Sequence, residues 1–409
     1  MKKILLVTQY FYPENFKSND IAFELVKRGF EVDALVGIPN YPEGKYYRGY
    51  HIFSNRKETI NGVRIIRVFQ FPRGKNRITL SLNYLSYVVC ASIRALFLSF
   101  GKRYDVVFVH QTSPVTQGIP AIVIKKIQNI PLFLWVLDLW PDAMISGGNV
   151  RNSYLLDKVN EVVKYMYGTA DKILISSKGM VQHISEKGNF AHKIVYFPNW
   201  SDDIKFMPDN HPFPDLPEGF RIMLAGNLGK SQNLDVIMDA VQILRDISEL
   251  KWIFVGGGSK LGWLSEFVEK KRLSDKVYLP GRFPAEAMPG LFKHADALLL
   301  SLRNGFPHLS MIVPARLQTY LAAGKPVLAM INGDAARLIE EAHCGYAVSA
   351  GDSAGLAELI RNKVLTDKTG FAKLGTNGRE YFERYFSKDI CIDNLCRMLN
   401  EYELNCKIP

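Results

Sequence analysis

At 409 residues the chain exceeds what one ordinary hydrophobic core supports, so two domains with a cleft between them are expected, and clefts are where ligands bind. Apolar residues make up 47% and charged residues 22%, a balance that excludes both a disordered chain and a polytopic membrane protein. The net charge of +11 is one-sided: residues 1–200 hold 26 Lys and Arg against 14 Asp and Glu, whereas residues 201–409 hold 25 against 26.

The first apolar run, Ile4 to Val7, is too short for a secretory segment and reads as a strand, so the chain is expected to stay in the cytoplasm. Similar runs follow at Val32–Val36, Arg64–Val68, Val106–Val109, Leu132–Leu137, Ile173–Ser176 and Ile194–Phe197. Their apolar residues are continuous rather than alternating, as in parallel strands buried on both faces. Helices fill the intervals, for instance Asn19 to Lys27, ended by Gly29. Between Gly44 and Ile78 nine basic residues stand against one acid, Glu58; such a run either faces something anionic or is simply solvated. Thr79 to Phe100 is apolar but interrupted by Asn83 and Arg94. Its length grazes a bilayer span, yet the polar interruptions argue against one, leaving a core helix or an interfacial helix beside the basic segment.

Asn199 to Gly219, with Pro208, Pro212, Pro214 and Pro217, reads as the linker. The pattern then restarts, with strands at Ile222–Ala225, Trp252–Val255, Val277–Leu279, Ala297–Leu300, Val327–Met330 and Tyr346–Val348, and helices such as Leu234–Leu244 and Leu317–Ala323. This predicts two doubly wound α/β domains, 1–200 and 201–387, with a last helix over about 388–405 packing back on the first. The five cysteines, Cys90, Cys344, Cys391, Cys396 and Cys406, are scattered without metal spacing and read as reduced thiols.

The segment Gly226-Asn227-Leu228-Gly229-Lys230 lies directly after a strand and before a helix. Glycines let a backbone approach a phosphate, a helix N-terminus offers its dipole and free N–H groups, and a lysine adds full charge, so this is a diphosphate site or, more plainly, a tight turn. No glycine follows the first strand in Thr8 to Glu14, which disfavours a nicotinamide or flavin dehydrogenase, and no Walker pattern occurs. Asp138 stands at the carboxyl end of a strand, where open α/β sheets place ligands; it is a candidate base toward an acceptor hydroxyl, or a helix cap. Glu14 and Asp20 are alternative bases or acceptor contacts, and His110 ends another strand in reach of the cleft. No nucleophile, metal cluster or Ser-His-Asp arrangement is evident.

Gln9-Tyr-Phe-Tyr-Pro-Glu14, Pro39-Asn-Tyr-Pro-Glu-Gly44, Asp138-Leu-Trp-Pro-Asp142, Pro198-Asn199, Ala225-Gly-Asn-Leu-Gly229, Pro280-Gly-Arg282 and Tyr320-Leu-Ala-Ala-Gly-Lys-Pro326 together resemble the family 4 retaining glycosyltransferases, in order and across nearly the whole chain. The resemblance implies the GT-B fold, two Rossmann-like doubly wound domains with a cleft between them. It implies a donor on the second domain, an acceptor on the first, and transfer with retention at the anomeric carbon. Gly226, Asn227, Gly229 and Lys230 would hold the donor diphosphate, with Arg282 near the base or phosphates and Arg316 reaching the diphosphate. Many members also carry two glutamates eight residues apart, the second contacting the ribose; here those positions are Met311 and Thr319, and no acid lies between Asp296 and Asp334. Ribose contact then falls to Thr319 or the backbone.

Within that family the chain is similar to enzymes of O-antigen and capsule assembly that transfer N-acetyl-L-fucosamine from its UDP donor. That likeness implies a UDP-sugar co-substrate without a required metal, an undecaprenyl-diphosphate-N-acetylglucosamine acceptor, and peripheral association with the cytoplasmic face of the inner membrane. The basic first half suits such an acceptor, at about 1 kcal/mol per well-placed Lys or Arg near an anionic leaflet. A UDP-sugar 2-epimerase shares the architecture and would change the sugar without an acceptor. A periplasmic-type binding protein also has two α/β domains, and nucleic-acid binding, raised by the charge, lacks a recognition helix or aromatic platform.

Overall fold

The computed structural model describes residues 1–74, 76–148, 150–204 and 215–406. Residues 205–214 of the expected proline-rich linker, Asn199 to Gly219, therefore lie outside the described residues. The chain forms two compact units: Met1–Ser176 with Met180–Phe197 and the chain from Ile392 onward, and Ser177–Gly179 with Pro198–Cys391.

The first unit is built on eight strands, β1 (Lys3–Val7), β2 (Glu31–Gly37), β3 (Lys57–Ile60), β4 (Val63–Val68), β5 (Val106–Gln111), β6 (Leu132–Val136), β7 (Lys172–Ile175) and β8 (Ile194–Tyr196). They lie in the order β3-β4-β2-β1-β5-β6-β7-β8, parallel throughout except for the β3–β4 pair. Every residue of β5 and of β6 is buried, as the continuous apolar runs require of strands covered on both faces. The edge strand β3 escapes the sequence reading because Lys57-Glu-Thr-Ile60 is short, polar and half exposed, and it sits inside the basic run.

The helix Arg77–Gly101 is packed on one side only. Its Asn83, fully buried, accepts a hydrogen bond from Gln9 Nε2 at 2.9 Å and donates to the Phe71 carbonyl. The polar residue that interrupts the apolar pattern is thus the pin that fastens this helix to the unit, as is Tyr87, whose hydroxyl donates to the Leu35 carbonyl at 3.3 Å. The C-terminal helix Lys388–Cys406 joins the same unit from Ile392 on: Lys2 Nζ donates to the Leu399 carbonyl at 2.8 Å, Arg28 pairs with Asp393 at 2.7 Å, and Tyr402 meets Phe133 edge-on.

The second unit holds β9 (Phe220–Asn227), β10 (Leu250–Gly257), β11 (Val277–Gly281), β12 (Ala297–Ser301), β13 (Val327–Met330) and β14 (Gly345–Val348), all parallel in the order β11-β10-β9-β12-β13-β14. Alternate residues of β9 serve two cores: Ile222 and Leu224 on one face of the sheet, Met223 and Ala225 on the other. Strand order reverses at β1/β5 in the first unit and at β9/β12 in the second. Such switch points open a crevice at the carboxyl ends of the strands, and that is where open α/β sheets bind ligands.

Candidate functional site

At the switch point of the second unit, β9 ends in Gly226-Asn227, and Gly226 has φ +120, a conformation that only glycine adopts readily. Two amides of the following loop are already engaged: Leu228 N donates to the Gly257 carbonyl at 2.9 Å and Gly229 N to Gln232 Oε1 at 3.2 Å. The helix Leu234–Ile243 begins only after a short turn, Lys230–Gln232, and Asn233. The loop is therefore less an amide cradle than the sequence suggested.

What the glycines achieve instead is close approach. Next to them, at the end of β10, stands a second glycine cluster, Gly256-Gly257-Gly258, which the sequence reading passed over although it follows an apolar run as Gly226 does. A Cβ on Gly256 (φ +132) would strike the Gly226 carbonyl oxygen, and one on Gly258 the Leu228 carbonyl. A Cβ on Gly257 would meet the Arg282 guanidinium, and one on Gly226 would lie 2.8 Å from Arg316 Nη2. Two arginines from distant segments thus rest on bare glycine backbone at neighbouring strand ends.

Arg316 is held from below. It lies in the first turn of the helix Ala315–Ala322, and one turn on, buried Tyr320 accepts a hydrogen bond from Ala225 N at 3.1 Å and donates to the Leu299 carbonyl at 3.3 Å. These two bonds tie the helix to β9 and β12, so the guanidinium, 3.4 Å from the Asn227 carbonyl, has a fixed base. Thr319 shares its helix face, and its hydroxyl is engaged by the Ala315 carbonyl and Ser201 Oγ, both at 3.3 Å. Lys230 is exposed at the turn.

Several basic residues of the unit are neutralised by ion pairs. Lys260, Arg361, Lys368, Arg379 and Lys388 are each within 3.0 Å of a carboxylate. Lys230, Arg282 and Arg316 make no such pair among the described residues. Uncompensated positive charge on a rigid glycine floor suits an anion with several oxygens. Beside it, Arg303 N donates to the Ser231 carbonyl at 2.9 Å and brings in a cavity of about 230 Å³, lined by Leu302 to Ser310 with Ile331, Asn332 and Ala350. Sequence patterns gave no hint of that cavity, because its lining has no charged motif beyond Arg303. Among the described residues no three His, Cys, Asp or Glu side chains are grouped to hold a metal ion.

The switch point of the first unit is arranged differently. Gln117 Oε1 accepts from Gln9 N at 2.9 Å and from Thr8 Oγ1 at 3.3 Å, filling the space between the ends of β1 and β5. Glu14, a candidate base, is 1% exposed. Its Oε1 accepts from Asn40 N and Tyr41 N at 2.7 and 2.6 Å, and its Oε2 from Phe11 N at 3.2 Å. Burial pushes its carboxyl up to about 7 against the pull of those three amides. It clamps two loops together and has no oxygen left for a substrate.

His110 is likewise corrected. It is 1% exposed, its ring packs 5.2 Å from that of Trp135, and burial, with Lys17 nearby, lowers its pKa to about 3. A neutral imidazole sealed in the core carries no proton to a substrate. Asp20 pairs with Lys17 at 3.3 Å on the first helix. Asp138, like Asp20, keeps partial exposure; its Oδ2 accepts from Ser113 Oγ at 2.7 Å, while Ser113 Oγ also accepts from Trp140 Nε1 at 3.2 Å. Neither Ser113 nor Trp140 was singled out by the sequence, since a hydroxyl that orients a carboxylate has no spacing signature.

Residues 208–381 match the family profile "Glycosyl transferases group 1", and residues 18–200 match "Glycosyl transferase 4-like domain". Together these two profiles span most of the chain. Both halves of the chain thus match glycosyltransferase profiles, which supports a family 4 glycosyltransferase. WbjE of Pseudomonas aeruginosa, assigned as a probable glycosyltransferase, is 25% identical to this chain over 80% of it and 82% of WbjE. WcaI of Escherichia coli K12, assigned to colanic acid biosynthesis as a glycosyl transferase, is 24% identical over 89% and 90% of the two chains. The crystal structure of Anabaena HepE in complex with UDP-glucose superposes with a TM-score of 0.69, covering 98% of this chain and 100% of that one at 17% identity. The fold of this glycosyltransferase is GT-B, with two Rossmann-like parallel-sheet domains.

Proposed function

We propose that this glycosyltransferase moves a sugar from a UDP donor, with retention, onto a lipid-diphosphate-linked sugar during O-antigen or capsule assembly. The best candidates are UDP-N-acetyl-L-fucosamine as donor and undecaprenyl-diphosphate-N-acetylglucosamine as acceptor. The observation that carries the reading is the placement of Arg316 against Gly226 and Arg282 against Gly257, both unpaired by carboxylates among the described residues, with exposed Lys230 on the same loop as Gly226. In sugar transfer the leaving group is a nucleoside diphosphate, and negative charge builds on it as the glycosidic bond breaks. Guanidinium and ammonium groups at that point stabilise the transition state more than the ground state and need no metal ion to do so. The UDP-glucose bound in the similar HepE structure supports a uridine nucleotide, and the relatives WbjE and WcaI support a surface-polysaccharide setting. The neighbouring cavity at Leu302 to Ser310 is assigned to the donor sugar. Asp138, oriented by Ser113, is assigned to the acceptor hydroxyl in the first unit, whose basic surface suits an acceptor that carries a diphosphate at the cytoplasmic membrane face.

The test is calorimetric titration with UDP-, GDP- and dTDP-sugars, followed by assay of the tightest binder with a synthetic prenyl-diphosphate-N-acetylglucosamine. Binding of a UDP-sugar and formation of a disaccharide on the lipid are expected. Conversion of the donor sugar with no acceptor present would replace this reading with epimerisation.

A further inference from the structure

The helix Arg77–Gly101 has two opposed faces. Asn83, Tyr87, Ala91, Ala95 and Leu98 are buried, whereas Ile78, Leu85, Val89, Ile93, Phe97 and Phe100 are between 47% and 77% exposed. At 3.6 residues per turn each set falls within an arc of roughly 120°, on opposite sides, and the exposed stripe runs for about 33 Å. Only 22% of the most apolar 18-residue window is buried, so this is no core helix. It is no bilayer span either, because its inner face is pinned by Asn83 and Tyr87 and its end by Lys102, which pairs with buried Asp33 at 3.0 Å. A stripe of this length, apolar and facing outward, marks a docking surface.

Charge identifies what it docks on. From residue 59 to residue 104 the chain contains eight Lys and Arg and no Asp or Glu; Arg64, Arg67 and Lys102 are paired with Asp33 or Glu58, while the helix itself carries Arg77 and Arg94 and no acid. A second copy would set this charge against itself; an anionic surface complements it. We propose that the exposed face of Arg77–Gly101 seats the protein on an anionic lipid bilayer, the helix lying parallel to the membrane with Leu85, Val89, Ile93 and Phe97 in the headgroup–acyl boundary. The inference rests on the lipid-acceptor part of the proposed function for its purpose, and not on the donor site.

The test uses the full chain with vesicles of phosphatidylglycerol and phosphatidylcholine, and with vesicles of phosphatidylcholine alone. The double variant Leu85→Ser/Phe97→Ser changes only exposed side chains and leaves every basic residue in place. Wild type is expected to co-sediment with the anionic vesicles, and the double variant to bind them roughly tenfold or more weakly, with UDP affinity unchanged. Val89→Ser/Ile93→Ser, a second exposed pair, gives the same loss should the first variant fold poorly. Equal binding by variants and wild type would leave charge as the sole attraction and overturn the seating; so would absence of vesicle binding, or a concentration-dependent dimer that the substitutions abolish. Vesicle binding without UDP binding would instead sink the donor assignment and leave this surface standing.

Discussion

The two units place polar side chains at equivalent positions, the carboxyl ends of strands at a sheet switch point, and use them in opposite ways. In the first unit Thr8, Gln9, Glu14 and Gln117 are buried and bonded to neighbouring side chains or backbone, with Gln9 Oε1 left without a partner among the described residues. In the second, Arg282 and Arg316 stand on glycine backbone, and they and exposed Lys230 have no carboxylate partner among the described residues. The difference teaches that position in an α/β sheet nominates a residue for function, and pairing decides. A group whose hydrogen-bonding capacity is consumed by its own fold has none to offer a ligand.

The sharpest way to break this contrast is to remove the best-held cation. Arg316→Ala should lower kcat/KM by about 10²-fold, the cost of deleting one preorganised donor to developing charge, while Tyr320 keeps the helix in place and the melting temperature little changed. Steady-state kinetics with the UDP-sugar found by titration would measure it. Kinetics within twofold of wild type would mean that this arginine is a surface residue, and the contrast between the units would lose its main support.

A paired substitution tests whether the glycine floor acts through packing or through position of charge. Gly256→Ala puts a Cβ into the Gly226 backbone at a positive φ and should cost about 3–5 kcal/mol, seen as a clear fall in melting temperature. Gly257→Ala has neither problem, since the atoms nearest its Cβ belong to the movable Arg282 side chain. It should leave the melting temperature unchanged and weaken UDP binding several-fold. If Gly257→Ala binds UDP as wild type does, Arg282 is not part of the site.

Among the described residues thirteen of the fourteen strands were readable from apolar runs, most plainly those such as β5 and β6 that are covered on both faces; β3, a polar edge, was hidden. The Gly226 loop, Arg282 and Arg316 were readable as a motif set, and Gly256 to Gly258 carried the same signal unnoticed. Pairing was not readable. Nothing in Gln9-Tyr-Phe-Tyr-Pro-Glu14 distinguishes a free carboxylate from one that holds Asn40 and Tyr41, since those partners come from a loop 26 residues away. Nor does the sequence distinguish His110 in the core from a histidine on a cleft wall; the burial of β5 along its whole length does. Asn83 looked like a flaw in an apolar helix until its partner Gln9 was known.

Glu14 supplies a direct check on the first unit. Its carboxyl is raised from 4.5 to about 7 by burial, so the folded protein holds a proton there that the unfolded chain releases near pH 4.5. Its contribution to stability is therefore complete below pH 4.5 and is lost as pH rises through about 7, by up to about 1.4 kcal/mol per pH unit within that window. Glu14→Gln removes the titration and keeps one oxygen for the Asn40 and Tyr41 amides. The difference in unfolding free energy between wild type and Glu14→Gln, measured in denaturant at several pH values, should shift against wild type from pH 4.5 to pH 7, with transfer activity retained. A shift in the opposite sense would mean that the three amides keep the carboxylate ionised in the fold, so that the clamp is anionic. Loss of transfer at unchanged stability would return Glu14 to the acceptor site and show that a fully bonded carboxylate can still serve chemistry, which is the rule the comparison of the two units denies.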